Sequence, residues 1–158
     1  MQRSADRTRR RLLVALPLAA MGQAAWGRDV AVSNDIVVLR RLINLPADVT
    51  SAQWQTGPLA PHGGDWWLAA VLDVPADRLP ALLADPAAPG TLTTPPGMVA
   101  NASFAALKSV PGARPIAGDR LSVPGPLHGI EPFAMSPLLQ GHALQVSATR
   151  LFVVLWTM

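Results

Sequence analysis

The sequence predicts an α+β domain, a two-layer sandwich in which a small, mostly antiparallel sheet of about four to five strands carries helices packed on one face. Two observations lead there. Short apolar segments of strand length recur at 49–56, 65–73, 121–123, 142–148 and 151–157, rich in β-branched and aromatic residues or alternating in polarity. Segments at 35–45, 75–84 and 101–108 instead space their apolar residues three and four apart, as helices do. Leaving aside the short 121–123 segment, the resulting order, α-β-β-α-α-β-β, points to an antiparallel or mixed sheet.

Ahead of these elements stands an export signal. Arg3, Arg7, Arg9, Arg10 and Arg11 precede an apolar stretch from Leu12 to Ala25, and Ala25 and Gly27 place small residues at −3 and −1 of a cut before Arg28. Basic charge holds the N-terminus inside while the apolar stretch enters the membrane, and small residues fit the peptidase cleft. A bilayer-spanning helix needs roughly 20 apolar residues; this stretch has 14 and contains Pro17 and Gly22. The expected location is therefore the bacterial periplasm or the exterior, the alternative being an inner-membrane anchor made by an uncleaved signal. The run Thr8-Arg9-Arg10-Arg11-Leu12-Leu13 resembles a twin-arginine (Tat) signal, with Leu12 where Phe is usual. The other reading is an ordinary Sec signal with an arginine-rich start.

Removing residues 1–27 changes the chemistry of what remains. Of 13 basic residues five lie in the signal, and of ten acidic residues only Asp6 does. Eight basic and nine acidic residues are left, so the mature part is about −1 although the whole chain is +3. Arg40-Arg41 is its one basic pair. Nucleic-acid binding needs a clustered positive footprint, and anionic membrane surfaces attract polybasic patches; neither pattern is present. No nucleic acid, and no membrane after signal cleavage, is expected as a partner. Residues 28–158 fit one globular domain. With no cysteine, neither disulfides nor thiol chemistry can contribute.

The elements follow in order. Ile36, Leu39 and Ile43 repeat at helical spacing, Asn34 can cap the N-terminus, and Pro46 ends the segment. Val49–Thr56 reads as a strand closed by Gly57-Pro58. Asp65–Asp73 is the clearest strand, sending Trp66, Leu68, Ala70 and Leu72 to one face and Trp67, Ala69 and Val71 to the other. Both faces are apolar, as for an interior strand. Pro75–Ala84 reads as a short helix with Leu79, Leu82 and Leu83 inward. Asn101 would cap a helix running to Lys108. Pro/Gly-rich segments at 85–97 and 110–137 read as long loops, the second interrupted by a short strand at Leu121–Val123. Residues 142–148 and 151–157 close the sheet, the last being apolar throughout from Leu151 to Trp156 and so central.

Chemistry-bearing patterns are few. His62-Gly63-Gly64 resembles the oxyanion loop of α/β-hydrolases, but Gly125-Pro126-Leu127-His128-Gly129 lacks the serine of their G-x-S-x-G elbow. His62/Asp65 and His128/Glu131 have short ligand-like spacings but lie in loops, so neither metal nor cofactor is expected. Trp54, Trp66, Trp67 and Trp156 fall on strands, where core packing competes with an open aromatic contact face.

The functional expectation leans away from catalysis, towards a periplasmic binding or interaction module with Trp54, Trp67, His62 and Asp65 as contact residues. Its partner would be an envelope protein or a small ligand. Alternatives are an enzyme whose site is assembled from the long loops around His128 and Glu131, and an accessory subunit of an envelope assembly.

Overall fold

A computed structural model describes residues 31–60, 63–83, 88–95, 98 and 104–158. The signal residues Arg9, Arg10, Ala25 and Gly27, together with His62 and Asn101, lie outside the described residues. The strands are β1 (Ser51–Pro58), β2 (Trp66–Asp73), β3 (Ala88–Thr93), β4 (Arg114–Ile116), β5 (Arg120–His128), β6 (Gln140–Ser147) and β7 (Arg150–Trp156). The helices are α1 (Ile36–Leu42), α2 (Leu79–Leu82) and α3 (Ala105–Lys108). All strands join one antiparallel sheet in the order β1-β2-β7-β6-β5-β3, with β4 also paired to β5.

This corrects the expected sandwich in two respects. The sheet has seven strands rather than four or five, and the helices do not form a layer on one face. They are only seven, four and four residues long. Leu39 of α1 and Leu79 of α2 pack on one face beside Ile130, Phe133 and Leu138 from the 130–138 turns. Leu107 of α3 packs on the opposite face.

Cross-strand register explains why both faces are apolar. Directly opposed residues share a face. Trp54, Ala70, Val153 and Ala143 make one such row, and Thr56, Leu68 and Leu155 another; all of these except the half-buried Thr56 belong to the first buried cluster. Trp67, Ala69, Val71, Phe152, Val154 and Leu144 project to the other side and form the second. That second cluster also contains Leu92 of β3 and Leu121 and Val123 of β5, so the β3–β5 end of the sheet curls over the β2–β7 end. Phe104, just before α3, meets Phe152 edge-on at 6.2 Å between ring centroids.

The strands missed in the sequence are those rich in proline, and their pairing shows why proline is tolerated. Pro89 and Pro126 are opposed, as are Gly90 and Gly125, and Thr91 and Pro124. Two facing prolines cannot exchange N–H···O bonds, so the bonded pairs between β3 and β5 are the alternate ones. Pro124 and Pro126 therefore direct their donor-less nitrogens towards the other edge of β5. That edge is paired to β4 only as far as Ser122 and to β6 only from Leu127 onward. The prolines occupy the stretch between, where no ladder bond is lost. Leu144 and Leu127 lie over Gly125 and Gly90, where an added Cβ would approach their Cδ1 atoms to 2.6 Å.

Smaller adjustments concern the helices. Asp35, not Asn34, caps α1: its Oδ1 accepts from the amides of Val37 at 2.9 Å and Val38 at 3.0 Å. The helix ends at Leu42 because Ile43 adopts extended backbone while remaining fully buried. Residues 76–78 form a turn, leaving α2 as a single helical turn with Pro80 near its start; the helix expected over 75–84 is that much shorter. Before α1, Ser33 and Trp54 exchange backbone hydrogen bonds of 2.8 and 2.9 Å, tying the leader to the outer edge of β1.

Candidate functional site

The two tryptophans expected at a contact face are interior. Trp54 is 8% exposed, sits in the first cluster and donates its indole N–H to the carbonyl of Asp35 at 3.1 Å. Trp67 is 2% exposed, sits in the second cluster on the other side of the sheet and donates to the carbonyl of Pro58 at 3.2 Å. Both rings are covered: α1 and the turns supply cover on one face, the curled β3–β5 end on the other. Trp66 and Trp156 are half-buried at the rims of these clusters. Register keeps the two expected contact tryptophans apart, because neighbouring positions along β1 and β2 alternate in face.

Asp65 is exposed and closes the β1–β2 hairpin. Its carbonyl accepts from Leu59 at 2.9 Å, and its carboxylate accepts from the hydroxyl of Thr157 at 3.1 Å. That hydroxyl in turn accepts from the amide of Trp66 at 2.9 Å. Asp65 thus anchors the end of β7 to the start of β2.

The loop histidines are dispersed. His142 is exposed on β6, 5.8 Å from the Trp156 ring. His128 ends β5 and shares a shallow cavity of about 220 Å³ with Glu131, Leu82 and Leu83. Among the described residues no group of three or more His, Cys, Asp or Glu side chains is placed to hold a metal ion.

A second cavity lies elsewhere, an open groove of about 330 Å³ at one end of β1, β2 and β7. On the second face, successive cross-strand rows read Gly57–Trp67–Trp156, Gln55–Ala69–Val154, Gln53–Val71–Phe152 and Ser51–Asp73–Arg150. The last row is wholly polar and lines the groove with Asn34 and Gln53. Arg150 Nε donates to Asp73 Oδ1 at 2.9 Å, and the hydroxyl of Ser51 donates to Asp73 Oδ2. Both carboxylate oxygens are therefore engaged, whereas the terminal guanidinium nitrogens of Arg150 have no hydrogen-bond partner among the described residues. The two side chains are half-exposed, at 50% and 40%. A pair in that setting contributes only about 0–1 kcal/mol to stability, so the fold does not depend on it.

None of these groove residues stood out in the sequence. Ser51, Asp73 and Arg150 are far apart in the chain and each flanks an apolar strand, where polar residues ordinarily mark a turn. Only pairing register brings them together. The Asp73–Ser51 half follows from folding β1 onto β2 as a hairpin; the Arg150 half requires knowing that β7 lies beside β2.

No helix among the described residues is long and apolar enough to cross a membrane. Comparison with protein-family models, curated proteins and solved structures found no match for this chain.

Proposed function

We propose that this protein is an exported domain of the bacterial cell envelope that works by binding, and that the Ser51–Asp73–Arg150 groove is its contact site. Export is supported by the signal pattern of residues 1–27. Binding is supported above all by one observation. The polar row is assembled and held by its own hydrogen bonds, at the end of a sheet face whose apolar residues form the second buried cluster, and among the described residues it leaves charged donors unengaged. A site ordered before its ligand arrives loses less freedom on binding. The partner is a small ligand or a segment of an envelope protein.

The loop-built enzyme is the second reading, favoured by the shared cavity of His128 and Glu131. A histidine beside a carboxylate is a common acid–base arrangement. The apolar Leu82 and Leu83 beside it would face an apolar part of a substrate.

Two experiments test these readings. Tagged full-length protein is expressed in a bacterial host and fractionated. Recovery of a processed form from the periplasm supports export, and retention in the cytoplasm refutes it. Replacing Arg9 and Arg10 with lysine blocks that export if the Tat route is used, and unchanged export assigns it to Sec. Screening the folded domain against a mixed fragment library by ¹⁵N NMR then locates binding. Shifts at Asn34, Gln53 and Arg150 support the groove; shifts confined to His128 and Glu131 favour the second reading.

A further inference from the structure

We infer that the groove takes the carboxylate end of a short peptide, an inference that rests on the binding reading above. The argument begins with Arg150. A guanidinium offers five N–H donors in a planar fork whose geometry matches a carboxylate held by two parallel hydrogen bonds. Among the described residues only its Nε is committed, to Asp73; the four N–H groups on the terminal nitrogens remain. Asp73 cannot readily turn away to accept a competing cation, because Ser51 holds its second oxygen.

The preference for an anion comes from these guanidinium donors, which are donor-only groups and call for an acceptor. Asp73 and Arg150 cancel, and the remaining polar lining, Asn34, Ser51 and Gln53, is neutral. A singly charged carboxylate suits such a site, whereas a multiply charged phosphate would face Asp73 with no second cation among the described lining residues to offset the repulsion. The neutral residues identify what adjoins the carboxylate. Asn34 and Gln53 each present a carboxamide with donors and an acceptor, complementary to a peptide bond, and Val71 supplies an apolar wall. A volume of about 330 Å³ lies at the lower end of the range for small-ligand sites, about 300–1,000 Å³, which limits the bound part to two or three residues.

The test is ¹⁵N NMR titration of the purified protein with N-acetyl-Ala-Ala, the same dipeptide as its C-terminal amide, and inorganic phosphate. The side-chain NH₂ signals of Asn34 and Gln53 and the Nε–H signal of Arg150 report directly on the groove. The expected result is saturable movement of these signals with the acid, at least tenfold weaker binding of the amide, and no saturation by phosphate. Arg150→Gln should weaken the acid at least tenfold while leaving the unfolding midpoint nearly unchanged. Equal binding of acid and amide, or preference for phosphate, overturns the ligand class; if fragments from the mixed library still move the same signals, the groove itself survives. No movement of these signals by any probe overturns both.

Discussion

The indole ring of Trp67 lies directly over Gly57 on the neighbouring strand. A Cβ added to Gly57 would stand 2.5 Å from Cζ2 and 2.7 Å from Cε2 of that ring. The ring is rigid, 2% exposed and pinned through its N–H to Pro58, so it has little room to retreat. Gly57→Ala should therefore destabilise the domain by about 1–3 kcal/mol, the usual cost of overpacking a filled core. Urea unfolding measures it, and a midpoint within error of the parent would show that the ring moves freely.

Trp54 separates core from contact surface. Trp54→Phe keeps most of the ring but removes the hydrogen bond to Asp35, and should cost about 1 kcal/mol plus a packing loss. Trp54→Ala should cost about 3–5 kcal/mol. Had this residue been an exposed contact, both changes would leave thermal unfolding unaffected and alter only binding. Thermal unfolding of the two variants decides the matter.

Gln55 is 2% exposed, and neither its carboxamide oxygen nor its nitrogen has a hydrogen-bond partner among the described residues. It sits in the row with Ala69 and Val154. Burying a carboxamide unpaired costs about 1–3 kcal/mol on the scale of protein substitutions. Gln55→Met has similar shape and no such cost, so it should raise stability by about 1 kcal/mol or more. A loss of stability would mean that the carboxamide is paired in solution.

The prolines of β5 make a paired prediction. Pro126→Ala restores an N–H where no partner strand runs and relaxes the unfolded chain, so it should cost at most about 1 kcal/mol. Val123→Pro, three residues earlier, removes a donor from the β3 ladder and should cost about 3 kcal/mol or more. Denaturation midpoints of the two variants test the pairing pattern, which fails if their order is reversed.

Much of the sheet was legible because hydrophobic alternation is local. Trp66 to Asp73 announces an interior strand, and β2 indeed lies between β1 and β7 with both faces covered. Leu151 to Trp156 announces another, and β7 lies between β2 and β6. What sequence could not supply was the role of proline. Pro89, Pro115, Pro124 and Pro126 read as loop residues, yet all lie within strands. For Pro124 and Pro126 the explanation is non-local: proline is harmless where the neighbouring strand is missing, and that depends on where β4 stops and β6 starts. The same curl buries Trp67, which a single strand cannot reveal. The groove was invisible for a related reason, since Ser51, Asp73 and Arg150 meet only through register.

The two residue pairs between β5 and β6, Leu127–Leu144 and His128–Ala143, form a narrow waist in an otherwise well-laddered sheet. By contrast, β6 and β7 are paired along nearly their whole length, and β3 and β5 share six pairs. A sheet divided this way has a weak line, and sub-global opening follows weak lines. The β3–β4–β5 flap can lift as a unit while the β1-β2-β7-β6 ladder stays closed. Amide exchange should then show a shared, faster rate for the flap and expose Phe152 and Val154 from that side first.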